Sequence, residues 1–200
     1  MKRVFPTSSS GFNLMRSGLA EVVIPFTFRL VDGPPPLDEL GVYVAASSGA
    51  VKPGAHWSDF VGRWSPAAED RRHLSLIEFC QPYDVIELWF DSTPNYQLLL
   101  IWLLDLLRSH PENVAKTKLR LIAFNLITQD AKAIGKSLSS IPDVDVTANE
   151  LETASVTWQA YCAPTPEACI DLVHRDLSAG RSTCTTIVSV THDTSNRACR

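Results

Sequence analysis

The chain has 200 residues, of which 45% are hydrophobic and 20% charged. This balance fits one folded domain with a substantial core and excludes a disordered tract. Eighteen lysines and arginines against 22 acids give a formal charge of −4, which argues against general nucleic-acid binding, because displacing the counterions of phosphate needs a basic face.

The N-terminus, Met1-Lys2-Arg3-Val4-Phe5, is basic but has no apolar stretch behind it, so the expectation is a chain without a signal peptide. Val4-Phe5 reads as a short strand ended by Pro6 and the polar turn Thr7-Ser8-Ser9-Ser10-Gly11. Phe12, Leu14 and Met15 begin a short helix that stops near Gly18, and 21–28 is a β-rich run in which Pro25 points to an edge position or a bulge. The run Asp32-Gly33-Pro34-Pro35-Pro36 is a stiff loop, since three prolines remove backbone donors. From Leu37 to Tyr83 the pattern is helical but broken. Trp57, Phe60, Val61 and Trp64 fall at helical spacing, and Pro66 opens a second helix that continues through Leu74, Ile77 and Glu78 to Pro82.

The middle of the chain alternates strand and helix. Residues 84–90 (DVIELWF) read as a buried strand, and Thr93-Pro94 caps a helix running to about Ser109. Its apolar run from Leu98 to Leu107 interrupts at Asp105 and falls short of the roughly 20 residues of a membrane span. Residues 118–124 (KLRLIAF) form a second buried strand, 129–139 a helix, and Val144-Asp145-Val146 a brief strand. Thr147 with Glu150 is a capping box for a helix through Tyr161, and Thr165-Pro166-Glu167 starts another ending near Gly180. Such alternation predicts an α/β fold: an open, mostly parallel, Rossmann-like sheet with helices on both faces and right-handed crossovers. The expected organisation is a single domain over 1–180 with a helical insert at about 37–82. A tail over 181–200 follows, in which 185–190 offers an edge strand.

The five cysteines, Cys80, Cys162, Cys169, Cys184 and Cys199, are odd in number and show no CxxC spacing. They read as buried free thiols of a reducing, cytoplasmic setting rather than as a disulfide framework or a zinc site. The histidines His56, His73, His110, His174 and His192 share no HxH or HxxxH spacing and read as surface or helix-end residues; no metal is implied.

The segment Leu88-Trp89-Phe90-Asp91 with Gln97-Leu98-Leu99 resembles the bacterial domain of unknown function 1835 family, which carries a Leu-Trp-Phe-acid strand end before a Gln-containing apolar helix. Val4-Phe5 with its turn, Leu30 with Gly33-Pro34, and Ala154 to Ala163 with Pro164 and Pro166 resemble further parts of that family, so the likeness spans about residues 1–180. This chain departs from the pattern in three places. Pro6-Thr7-Ser8 stands where the family shows Gly-Asp-Ser, Arg29 replaces an acid, and Thr93 replaces the second acid of the Trp-Phe segment. The resemblance implies a fold, and its missing acids imply a site that has changed or been lost.

In open parallel sheets, ligands sit beyond the carboxyl ends of the strands, where the strand order reverses. The loops expected at that rim are 6–13, 91–97 and 125–129. Ser8, Ser9, Ser10 and Gly11 offer hydroxyls and amides to an anion at a helix N-terminus, with no lysine and no Walker spacing; the other reading of this turn is simple capping. Asp91 is the candidate catalytic acid/base or ligand acceptor, against a loop-capping role. Asn95 and Gln97 follow in the next helix as ligand-binding candidates, Gln97 reading otherwise as a buried polar group that needs a partner. Arg29 is a candidate for neutralising an anion, its other and favoured reading being a solvated surface arginine. No GxSxG elbow supports a serine triad. Two functions follow: a domain that binds an anionic or nucleotide-like small molecule and extends to a hydrolase or transferase, or a non-catalytic interaction or regulatory domain. No cofactor is indicated, no membrane association is expected, and the 57–64 helix is the expected face of any homodimer.

Overall fold

The computed structural model describes residues 2–8, 16–26, 28–34, 36–47, 52–64, 71–91, 93–122 and 142–178. Among them five strands form one sheet: β1 (Arg3–Ser8), β2 (Val22–Phe26), β3 (Val85–Asp91), β4 (Thr117–Ile122) and β5 (Val144–Asp145). The spatial order is β2-β1-β3-β4-β5, with every pair parallel except β4–β5, which is antiparallel. The result is a mixed, mostly parallel α/β sheet. The helices are α1 (Leu37–Val44), α2 (Trp57–Trp64), α3 (Leu76–Cys80), α4 (Pro94–Arg108), α5 (Pro111–Val114), α6 (Ala148–Tyr161) and α7 (Glu167–Ser178), with a 3-10 turn at Leu30–Asp32.

Register and alternation sort the strand side chains onto two faces. One face carries Val4, Val22, Ile24, Phe26, Ile86, Leu88 and Phe90, all in a single apolar cluster with α4. Burying such side chains stabilises the fold by about 1.5–3 kcal/mol each. Helix α4 is buried continuously from Gln97 to Leu104 and again at Leu107, because β3 lies against one side of it and α6 against the other. Helix α6 brings Ala154 and Trp158 into the core cluster that holds α4. Its start is fixed by the expected capping box: the Glu150 amide donates to Thr147 Oγ1 at 3.2 Å, and the Thr147 amide donates to Glu150 Oε2 at 2.7 Å.

Several sequence expectations need correction. Strand β1 does not end at Pro6 but continues through Thr7 and Ser8. Its register with β3 pairs Arg3 with Val85, Val4 with Ile86 and Thr7 with Trp89, and the pairing is interrupted at Phe5 and Pro6, where proline has no N–H to donate to the ladder. Pro25 does lie in the edge strand, β2. The helix expected to run from Pro66 through Glu78 is interrupted by a turn at Arg72-His73. A new helix begins at Leu76, where Ser75 and Glu78 form a second capping box. Helix α2 forms as expected, but Trp57 and Val61 are 0% and 1% exposed within the core, so they offer no free apolar face for a dimer. His56, just before α2, is likewise buried. Its Nδ1 accepts from the Ser58 amide and its Nε2 donates to the Ala45 carbonyl. The helix expected at 129–139, the loop at 125–129 and the tail at 181–200 lie outside the described residues.

Candidate functional site

The chain leaves β1 for β2 on one side and returns on the other side as β3, so the strand order reverses between β1 and β3. These neighbours are parallel, and their carboxyl ends, Ser8 and Asp91, emerge on one rim. Because Thr7 is level with Trp89, Asp91 stands one residue beyond the level of Ser8, and it pairs with Ile122 of β4 on its other side. Helix α4 begins three residues further on, with Thr93 as N-cap and Pro94 in the first turn, where a missing N–H costs nothing. The positive end of its dipole therefore faces the same rim. Just below, the buried Thr7 hydroxyl donates to the Trp89 carbonyl at 2.9 Å and ties the two strands together.

The expected site residues divide into groups. Backbone register brings Ser8 and Asp91 to the common rim. Ser9, Ser10 and Gly11 lie outside the described residues. Asn95, in the first turn of α4, uses both ends of its amide on the protein: Nδ2 donates to the Phe28 carbonyl at 2.8 Å, and Oδ1 accepts from the Val31 amide at 3.3 Å. It pins the segment 28–31 against the start of α4. Arg29 sits on that segment with its side chain 77% exposed and pairs with Asp32 at 2.9 Å. Gln97 is 1% exposed inside α4 and already has an interaction within the protein. From the other side, the Tyr161 hydroxyl at the end of α6 donates to the Leu30 carbonyl. Burial is the main cause that raises its pKa, aided by Cys162, Cys169 and Asp32, so the hydroxyl stays a neutral donor.

Sequence reasoning missed the polar face of the sheet beneath the rim. Glu87 is 2% exposed, and its carboxylate accepts from Arg3 at 3.0 Å, from the Trp89 indole at 3.0 Å and from Arg120 Nε at 3.2 Å. The Arg120 guanidinium also lies over the Trp89 ring, 5.3 Å from its centroid. Beside them Lys118 pairs with Asp145, which joins β4 to β5. The available signal was an acid in the middle of one apolar strand and a base in the middle of the next, Glu87 in VIELWFD and Arg120 in TKLRLI.

Among the described residues, no group of three or more His, Cys, Asp or Glu gathers to hold a metal ion, and no helix is long and apolar enough to cross a membrane. Comparison of the chain with protein-family models, curated proteins and solved structures returns no match.

Proposed function

We propose that this domain binds a small anionic or nucleotide-like molecule at the carboxyl ends of β1 and β3. The observation that carries this reading is the reversal of strand order between two adjacent parallel strands, with the first turn of α4 opening at the same rim. In the first turn of α4 Pro94 has no amide and those of Tyr96 and Gln97 donate to the Thr93 carbonyl. The Asn95 backbone amide, with the helix dipole behind it, is therefore the donor this turn offers an anion, and Asp91 supplies an acceptor for a sugar or base. A hydrolase or transferase reaction with Asp91 as general acid/base extends the same reading. With it go a Rossmann-like fold with helices on both faces, a cytoplasmic setting, and kinship to the domain of unknown function 1835 family through Leu88-Trp89-Phe90-Asp91 and Gln97.

A second reading is favoured by particular residues. Arg29 is held by Asp32 at the surface, Asn95 is occupied by the 28–31 segment, and the acids of the resembling family are replaced at Thr7, Arg29 and Thr93. On that reading the chain is a non-catalytic regulatory or interaction domain. A thermal-shift screen against nucleotides, sugar phosphates and divalent metal ions separates the two. Ligand at about 100 times its Kd stabilises by about 2.7 kcal/mol, a rise of several degrees for a chain of this length. That rise in the wild type, and its loss in Asp91→Ala, is the expected result. No shift with any of these compounds turns the assignment to the interaction domain.

A further inference from the structure

Two of the cysteines meet where α6 turns into α7. Cys162 is the C-cap of α6, in right-handed helical conformation, and its amide donates back to the carbonyls of Ala160 and Trp158. Cys169 lies in the first turn of α7, and its Sγ donates to that same Ala160 carbonyl at 3.3 Å. The Ala160 carbonyl thus lies between the helix cap that carries Cys162 and the thiol of Cys169. A disulfide requires Cα atoms about 4.4–6.8 Å apart, and the short turn between α6 and α7 brings the two cysteines to the same end of α6. Both thiols are free and only partly buried, whereas Cys80 is enclosed in the core. Burial raises the pKa of Cys162, and Asp105 and then the nearby Cys169 add to it.

We propose that Cys162 and Cys169 form a reversible disulfide across the α6–α7 hairpin when the domain meets hydrogen peroxide. The thiolate of one cysteine attacks a peroxide oxygen, the O–O bond breaks, and hydroxide takes up a proton and leaves as water, giving a sulfenic acid. The second sulfur then attacks the sulfenic sulfur, its proton leaves with the displaced hydroxyl as a second water, and the S–S bond forms. Both sulfurs are oxidised and one peroxide is reduced to two waters. Burial pushes both thiols above their ordinary pKa, so thiolate is scarce at neutral pH and the reaction accelerates as pH rises. Tyr161, next to Cys162, holds the Leu30 carbonyl of the segment that Asn95 pins to α4, so the crosslink stiffens a hairpin that abuts the rim.

The full chain suits a direct test. Trypsin cleavage at Lys136 and Arg175 leaves Cys162 and Cys169, and no other cysteine, in the peptide 137–175. After peroxide treatment of the folded protein, this peptide is expected to weigh two hydrogens less and to return to its original mass with a dithiol. The closed loop should raise Tm by about 5 °C. Cys162→Ser and Cys169→Ser should each abolish the mass change and the Tm rise, with circular dichroism checking that both variants fold. The wild-type mass alone still decides if a variant does not. Recovery of the peptide with both thiols open to alkylation overturns the proposal. So does a separate oxygen addition on each sulfur, or a crosslink to a peptide carrying Cys184 or Cys199.

Discussion

Replacing Glu87 by leucine tests whether the polar face of the sheet is a structural hub. The carboxylate is 2% exposed and serves three donors, of which Arg120 is itself only 12% exposed. Leucine removes a charge that faces Arg120 in a largely enclosed place, and breaking a buried pair from one side costs about 3–5 kcal/mol. The Trp89 indole also loses this acceptor, worth about 1–3 kcal/mol, though the two losses overlap rather than add. Arg3 contributes less, at most about 1 kcal/mol, because its side chain is 35% exposed and water screens the pair. New apolar area from leucine returns about 1–2 kcal/mol, which leaves a net loss of about 3 kcal/mol. Urea unfolding followed by far-ultraviolet circular dichroism measures it as a lower midpoint at unchanged m-value. Replacing the whole cluster, Arg3→Met with Glu87→Leu and Arg120→Met, should recover most of the loss, because no charge is then left buried alone. A loss below about 1 kcal/mol for Glu87→Leu, or a triple variant weaker than the single one, would refute this account of the face.

Asn95→Asp sets a carboxylate oxygen against the Phe28 carbonyl, where an N–H now donates at 2.8 Å. The expected cost is about 1–3 kcal/mol, with faster amide hydrogen exchange confined to residues 28–33. Burial pushes the Cys80 thiol up to about 12, so iodoacetamide at mildly alkaline pH should leave it unmodified in the folded chain and label it fully in urea. The Ser75 amide, then the Ser75 hydroxyl, hold the Glu78 carboxyl below its ordinary 4.5. A depressed carboxylate contributes stability above its unfolded pKa and loses it as pH falls through the folded value. The capping box of α3 should therefore survive to a pH below 4.5 and then fray. In NMR titration the Glu78 carboxyl carbon should show its midpoint below 4.5, and Ser75→Ala should bring it back up.

What the sequence disclosed depended on how local each signal was. The α4 helix is announced by Thr93-Pro94 and by an apolar run that only a doubly covered helix can accommodate. The start of α6 is announced by Thr147 and Glu150, which satisfy one another within a single turn. Pro6 misled because a proline reads as the end of a strand, whereas here pairing with β2 runs through it and pairing with β3 resumes at Thr7, so the strand survives a local loss in the ladder. The second capping box, Ser75 with Glu78, was as legible as the first but was overshadowed by Ser65-Pro66, which looked like the start of one longer helix. The direction of β5 rests on two residues against Lys118 and Leu119, too short a strand to carry a local preference. The Glu87 cluster needs three strands in register before its members are neighbours, so no window of sequence contains it.

The two faces of the sheet therefore do different work at the rim. The apolar face fixes how α4 lies on β3 and so where its first turn opens. The backbone ladder sets the spacing of β1 and β3, and the polar face reinforces it with Arg3 on Glu87 and, near the rim, the Thr7 hydroxyl on the Trp89 carbonyl. Thr7→Val keeps the volume and removes the only donor in that second tie, at a cost of about 1–3 kcal/mol for a buried acceptor left without it. If the rim between Ser8 and Asp91 binds an anion, Thr7→Val should weaken binding by more than an equally destabilising change in α6, such as Trp158→Leu, because only the first alters the spacing of the strands that bear the site. Equal losses in the two variants would mean that the rim senses global stability alone, and the strand junction would then have no special part in it.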